Sequence, residues 1–299
     1  MKLSILIPVY NWDVRPLVQS LHGQCLPLGV PFEIRCLDDA SQQGWCEVNA
    51  ELGKMPFVHV GRSEVNLGRA AVRNRLAREA AGEWLLFLDC DVMPAADDFI
   101  EKYLGTMGQG QVICGGVAYE RTPPAERSHF FRWYYGRKRE QQTAAERRRK
   151  PWHAFKSANF LIQRRAFLAI GFDERIVRYG HEDTLFGLEL ERRKITPVHI
   201  DNPVIHLGLE PFDDFLRKTQ TAVETLFMLR SLGLPVETRL LRTCERMESW
   251  RIGWIVEAFE RILRPMLLAN LRSRRPQLLF FDFYKLALAL RAHRRTPTR

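Results

Sequence analysis

Apolar residues in the first two hundred positions come in short unbroken runs, and each run stops at a polar turn. Residues 3–9 (LSILIPV) run into Tyr10-Asn11, residues 32–37 (FEIRCL) into Asp38-Asp39-Ala40-Ser41, and residues 84–88 (WLLFL) into Asp89-Cys90-Asp91. Runs this short and this apolar predict strands buried on both faces, as in the middle of a parallel sheet. Residues 58–60 predict a shorter one. Between the runs, Leu17, Val18, Leu21 and Cys25 recur at helical spacing, and a helix is expected over 69–81 after Asn66-Leu67-Gly68. Alternating strand and helix means βαβ units. Their right-handed crossovers put the strand C-termini on one edge, where open α/β sheets bind ligands. Asn11, Asp38, Asp39, Asp89 and Asp91 are therefore expected to meet there.

Further on, strands are expected over 112–119, 156–164 and 196–206. A short helix is expected over 165–170, and a longer one opens at Tyr179-Gly180-His181-Glu182-Asp183 and runs to 193. Residues 120–156 break the pattern with prolines, aromatics and clustered arginines, as a surface excursion does. Residues 231–299 predict helices over 237–268, broken near Gly253 and Pro265, and over 277–293. The expected organisation is an α/β catalytic domain over 1–230 and a helical extension over 231–299.

Composition changes little of this: 46% hydrophobic and 27% charged residues describe an ordinary globular core. The start, MKLSILIPVYN, does not predict a signal peptide, because Pro8 and Asn11 interrupt its short apolar run. No segment reaches the ~18–20 apolar residues of a membrane span. Six cysteines without C-x-x-C pairs predict reduced thiols in a cytoplasmic protein and no zinc site. Charge adds more. Residues 231–299 hold 14 Lys/Arg against 6 Asp/Glu, and the rest 31 against 29. The net +10 thus sits mostly in the extension, where a polyanionic partner would meet it.

Two carboxylates one residue apart suit a hard divalent cation, which prefers oxygen ligands. A lone Asp-x-Asp is more often a solvated turn, so its company decides. The blocks ILIPVYN, LDDAS, NLGRAAVRN, FLDCDVMP, SANFLIQRRAFLAIGFDE and GHEDTLFGLELERRK, in this order over residues 1–207, resemble the family 2 glycosyltransferases of GT-A fold. The resemblance implies a Rossmann-like mixed, mainly parallel sheet flanked by helices. It also implies a nucleotide-sugar donor (UDP favoured), Mn2+ or Mg2+, and transfer of one sugar to a hydroxyl with inversion. Carried over by position, Pro8, Tyr10 and Asn11 line the nucleoside pocket. Asp38 and Asp39 stand where an acid contacts the base, with Asp39 favoured. Arg69 and Arg73 lie on the helix that approaches the nucleotide. Asp89 faces ribose or metal-bound water, Asp91 ligates the metal and His206 completes the metal site, with His199 as competitor. Asp183, paired with Glu182, matches the catalytic base. The helix N-terminus there favours an ionised carboxylate.

Processive members carry a Gln-x-x-Arg-Trp block and membrane spans; neither occurs here, which implies a single addition. The acceptor expected is a glycan or lipid-linked saccharide. Trp133, Tyr134, Tyr135 and Trp152 of the excursion are candidates to stack on sugar rings, and residues 147–150 to hold a phosphate. The segment 272–299, an apolar helix with arginines at both ends, is expected either at the inner face of an anionic membrane or packed on the catalytic domain or a second subunit as a homodimer contact. Two other classes remain: a nucleotidyltransferase, which usually has a glycine-rich phosphate loop that PVYNWDVRP lacks, and a non-catalytic basic protein binding membrane or nucleic acid. The latter leaves Asp89/Asp91 and Glu182/Asp183 unexplained, so no nucleic-acid partner is expected.

Overall fold

The computed structural model describes residues 2–176, 179–234 and 236–295. In chain order the elements are β1 (Leu3–Val9), α1 (Arg15–Cys25), β2 (Phe32–Asp38), α2 (Gln43–Ala50), β3 (Val58–Arg62), α3 (Arg69–Glu79), β4 (Trp84–Leu88), β5 (Val92–Pro94) and α4 (Phe99–Thr106). Then come β6 (Val112–Cys114), β7 (Val117–Ala118), α5 (Phe130–Tyr135), α6 (Ala144–Arg148), β8 (Asn159–Gln163), α7 (Arg164–Ile170), α8 (Glu182–Arg192), β9 (Val198–His199) and β10 (Val204–His206). Four helices end the chain: α9 (Phe212–Ser231), α10 (Arg239–Ser249), α11 (Gly253–Leu271) and α12 (Leu278–Arg295).

The chain forms two compact units. One comprises 1–120, 139–177 and 182–208; the other comprises 121–138, 178–181 and 209–299. This division differs from a 1–230/231–299 partition. The main stretch of the helical unit starts at 209, and the unit also takes in the first half of the 120–156 excursion.

In the first unit a seven-stranded sheet has the order β3-β2-β1-β4-β8-β6-β9. β1 lies between β2 and β4 and is parallel to both, with Val9 opposite Asp38. The three ends that carry Asn11, Asp38/Asp39 and Asp89 are therefore neighbours, as the βαβ pattern requires. Leu17, Val18 and Leu21 of α1 and Phe99 of α4 join Ile5, Leu86 and Leu88 in one apolar cluster. Val72 and Leu76 of α3, Phe167 of α7 and Phe186 of α8 join Leu6, Leu85 and Phe87 in another. Alternate residues of β1 and β4 thus face opposite helix layers, which is why both strands read as continuously apolar.

The strand over 156–164 forms as β8 and, in keeping with a mixed sheet, runs antiparallel to both β4 and β6. Two expectations change. The single strand expected over 112–119 is two, because the chain bends at Gly115-Gly116. Gly116 has φ +92°, and a Cβ on Gly115 would lie 2.3 Å from the Asn202 carbonyl oxygen. Only glycine fits that approach. The bend sends β7 into a second sheet of order β5-β10-β7. The strand expected over 196–206 likewise splits into β9 and β10.

The second unit is helical. α12 packs against α9, α10 and α11, burying Phe281, Tyr284, Ala287, Leu288 and Leu290. The apolar residues expected to face a membrane or a partner thus serve mostly as the core of their own unit; residues 296–299 of that segment lie outside the described residues. α11 continues through Pro265 without a break.

Candidate active site

Turn chemistry ties the strand ends together. Asn11 sits at φ +49°, a left-handed conformation that asparagine tolerates. Its backbone N–H donates to Ser41 Oγ (2.8 Å), and its side-chain oxygen accepts from the Gln42 N–H (2.8 Å). Asp38 Oδ1 accepts from the Ser41 N–H (2.8 Å), while its Oδ2 is buried with no partner among the described residues. Asp39 uses both oxygens on backbone, accepting from Leu67 N–H (2.7 Å) and Gly68 N–H (3.0 Å). It thereby holds the loop that presents Arg69 at the first position of α3. Pro8 is half-buried at the end of β1, and Tyr10 is exposed beside it.

Arg69 and Arg73 lie one helical turn apart and converge on Asp89. Arg73, only 2% exposed, donates to Asp89 Oδ1 and to the Arg69 carbonyl (2.8 Å). Arg69 donates to Asp89 Oδ2 (3.3 Å) and to Glu182 Oε1 (2.5 Å). Burial pushes the Asp89 carboxyl up, but the adjacent Arg73 and Arg69 outweigh it and hold the group below its ordinary value. At Glu182 burial again raises and Arg69, then Arg73, prevail. Arg69 thus links the end of β4 to the first turn of α8. That link brings Asp183, the next residue, to the same region.

Asp91 lies on the other side of the Asp-Cys-Asp turn. Cys90 between the acids is neutral, burial and then Asp91 pushing its thiol up to about 12. The Asp91 carbonyl accepts from the Leu207 N–H (2.8 Å), docking the turn against the exit of β10. His206 Nε2 consequently stands 3.6 Å from Asp91 Oδ2. The imidazole lies 5.5 Å from the Tyr119 ring, and its Nδ1 is buried without a partner among the described residues. Gly208 completes the wall: a Cβ there would meet Asp91 Oδ2 at 2.2 Å. No group of three or more His, Cys, Asp or Glu poised around a cation occurs among the described residues. A carboxylate and an imidazole facing one another still fit Mn2+ or Mg2+, which take few protein ligands when substrate phosphates fill the rest. Asp89, expected near the metal, is committed to the two arginines.

Asp183 is shifted the opposite way from Asp89 and Glu182. Burial raises its pKa first and the neighbouring Glu182 charge adds to that; Lys156 and the hydrogen bond from Ser157 N–H (3.2 Å) offset part. The dipole argument for a readily ionised carboxylate is therefore outweighed by desolvation and like charge. The result is a stronger base once the proton is lost.

Several residues have other places than expected. Arg147 is buried and donates to the Cys114, Gly115 and Ile200 carbonyls (2.9, 3.0 and 2.8 Å), fixing the bend between the sheets. Arg148 donates to the His199 carbonyl (2.8 Å). Both act as loop staples. His199 is fully buried between Arg147 and the Pro151 carbonyl (2.9 Å), which leaves it no access to Asp91's partner His206 position. Trp152 donates to the Ile195 carbonyl (3.0 Å), and Trp133 is buried. Tyr119, Ser157 and Gly208 escaped notice in the sequence, although Gly208 two residues after His206 was a readable signal for close approach.

A family model described as glycosyl transferase family 2 matches residues 4–171. The uncharacterized glycosyltransferase YfnE of Bacillus subtilis is 26% identical over 259 residues, 68% of this chain and 66% of that protein. The chain thus spans just under two thirds of that relative's length. Among solved structures, the mannosyltransferase PcManGT from Pyrobaculum calidifontis, in complex with GDP-Man and Mn2+, is 14% identical with a TM-score of 0.62, covering 96% of this chain and 85% of that one. S. aureus TarS in complex with UDP-GlcNAc is 18% identical with a TM-score of 0.52, covering 99% and 92%. These likenesses show the fold, a mainly parallel α/β sheet of GT-A type.

Proposed function

The chain belongs to glycosyl transferase family 2, and from that premise we propose that it moves one sugar from a nucleotide-sugar, a UDP-sugar in first place, to a hydroxyl of a glycan or lipid-linked acceptor with inversion. The observation that carries this reading is the Asp91–His206 pair at the end of β4, 3.6 Å apart, with Asp183 tied to the same edge through the Asp89–Arg69–Glu182 bridge. The complexes of the two structural neighbours with UDP-GlcNAc and with GDP-Man and Mn2+ support a nucleotide-sugar donor.

In this reading Pro8, Tyr10, Asn11, Asp38 and Asp39 surround the nucleoside, and Asp39 also holds the loop before α3. Asp91 and His206 hold Mn2+ or Mg2+. A cation held there would supply Lewis-acid neutralisation of the diphosphate leaving group. Asp183, desolvated and beside Glu182, takes the proton of the attacking hydroxyl; a raised pKa makes its carboxylate the stronger base for that work. Arg69 and Arg73 keep Asp89 ionised and fixed at the edge, facing the ribose. The acceptor is met on the cytoplasmic side, at the inner membrane surface. No helix among the described residues is long and apolar enough to cross a membrane.

The test is nucleotide release from a panel of UDP- and GDP-sugars with and without Mn2+. Metal-dependent turnover of a UDP-sugar is expected. No turnover of the nucleotide-sugars, with pyrophosphate released instead from UTP or GTP plus a sugar 1-phosphate, would indicate a nucleotidyltransferase, and no metal-dependent nucleotide binding at all would leave a non-catalytic basic protein.

A further inference from the structure

α11 is apolar on two opposite sides. One side buries Leu267 and Leu271 in the helical unit. The other carries Trp254, Ile255, Phe259, Ile262 and Met266, all exposed; Phe259 is 57% and Ile262 75% exposed. Positions 255, 259, 262 and 266 follow the i, i+4, i+7, i+11 spacing of a single helix face, and the alanines at 258 and 269 that share it are exposed too. No charged residue falls within this stripe. A surface helix normally puts its polar residues on the side away from the core, so this face is built to leave water.

Arg261 lies seven residues after Trp254, two turns along the same side at the stripe's edge. It opens onto a cavity of about 870 Å³ inside the helical unit, lined by Arg261 and Arg264 of α11, Arg291 and Arg295 of α12, and Gln220 and Glu224 of α9. One guanidinium nitrogen of Arg291 (Nη2) is buried without a partner among the described residues. Arg264 and Arg291 are ion-paired with the buried Glu260, yet Arg261, Arg295 and the unpartnered Nη2 of Arg291 against the single lining Glu224 leave the cavity basic, a site for phosphate oxygens.

We propose that α11 is a lipid-docking helix: its exposed face enters the acyl boundary of an anionic membrane, and the adjoining arginine cavity takes a phospholipid headgroup phosphate. Charge selects this occupant over a second copy of the chain. Residues 231–299 hold 14 Lys/Arg against 6 Asp/Glu, so face-to-face pairing would set like charge against like, whereas an anionic surface complements it. The exposed tryptophan fits the membrane–water interface, where one side of an indole is apolar and the other wet. The proposal relocates the contact from the 272–299 helix, whose apolar residues fill the core. It rests on the sugar-transfer reading only for the acceptor's place at the membrane. Vesicle binding is measured without donor or acceptor, so either can fail alone.

The experiment is flotation of the full chain with vesicles of mixed phosphatidylglycerol and phosphatidylcholine, with phosphatidylcholine alone, and with inorganic phosphate as competitor. Wild-type protein is expected to float with the anionic vesicles only. Phe259→Asp with Ile262→Asp should abolish flotation while the thermal melt and donor turnover stay unchanged. Arg261→Gln with Arg295→Gln should weaken anionic binding on the order of twenty- to thirtyfold, from about 1 kcal/mol per basic residue. Wild-type protein that remains soluble with anionic vesicles overturns the proposal, as does flotation that survives the double aspartate substitution. So does a sedimenting dimer that the same substitution makes monomeric, and so does phosphate binding in the cavity without flotation.

Discussion

The two units each contain a carboxylate gripped by two arginines, and only one of these clusters lies at the sheet edge proposed to bind the donor. In the sheet unit Asp89 is held by Arg73 and Arg69. In the helical unit Glu260, fully buried, is held by Arg264 (2.8 Å) and Arg291 (2.8 Å). At both acids burial raises the pKa and the arginines more than reverse it. An arginine-bound buried acid is therefore not in itself the mark of a site. The difference lies in the neighbours. Arg69 passes from Asp89 to Glu182, and neither Asp183, the next residue, nor Asp91, two residues after Asp89, has an arginine in hydrogen-bond or ion-pair contact among the described residues. Around Glu260 the neighbouring Glu257 is itself paired with Arg294, no second acid is so placed among the described residues, and the surplus charge is basic.

The largest effect should come from the acid whose pKa is raised. Asp183→Asn is expected to lower kcat on the order of 10²–10⁴-fold while nucleotide binding persists, since a positioned base contributes about that much. The pH profile gives the sign. With its folded pKa above the ordinary value, Asp183 must lose its proton before it can act, so transfer falls as pH drops through that raised pKa. Asp183→Asn should remove this acid limb. Transfer at the wild-type rate by Asp183→Asn would falsify the assignment.

Next is Asp91→Ala, expected to abolish the Mn2+ dependence of nucleotide binding and to cost roughly 10²–10³-fold in kcat/KM, the range of several kcal/mol of leaving-group stabilisation. Its melting temperature should move little, because Asp91 anchors the β10 exit through its backbone carbonyl, which alanine keeps. A calorimetric titration of Mn2+ with UDP present checks both statements. Equal metal response in wild type and variant would transfer the role elsewhere.

The two clusters can then be set directly against each other by stability. Asp89→Ala leaves Arg73, 2% exposed, without its counter-ion, and about 3–5 kcal/mol is expected. Glu260→Ala frees Arg264 and Arg291, which are 43% and 19% exposed at their side chains and can turn to water. A smaller loss of about 1–3 kcal/mol is expected. Urea unfolding of both variants measures the pair, and an equal or reversed order breaks the argument from arginine exposure.

How much of this could be read beforehand follows from the range of the forces involved. β1, β2 and β4 were legible because strands buried on both faces need continuous apolar runs, and the acids at their ends because a parallel sheet gathers its C-termini. The antiparallel course of β8 was not, since an apolar run carries no direction. The Gly115-Gly116 bend was hidden for a similar reason: Asn202, 87 residues on, is what requires it. Pro265 was expected to break α11, yet the helix passes through it, the surrounding packing outweighing one lost backbone bond. α9 went unforeseen, although Asp213 and Asp214 in its first turn after Pro211 are an ordinary start signal. At the site, residue types were legible and pairings were not. Nothing local distinguishes Asp89, taken by arginines, from Asp91, which faces His206.

The smallest effect tests that distinction most finely. Gly208→Ala puts a methyl 2.2 Å from Asp91 Oδ2 and 2.9 Å from its Cβ, so the Asp91 side chain must turn away from His206. The glycine has no left-handed φ to lose, and Asp91 is partly exposed, so the fold should tolerate the change. Mn2+-dependent nucleotide binding should weaken about tenfold, as expected when a ligand's orientation rather than the ligand is lost. The hydrogen bonds of Asp89 go to Arg69 and Arg73, so its arginine cluster and the stability it confers should be little changed. A stability loss comparable to that of Asp89→Ala, with metal response intact, would show that the two acids of the turn share one task after all.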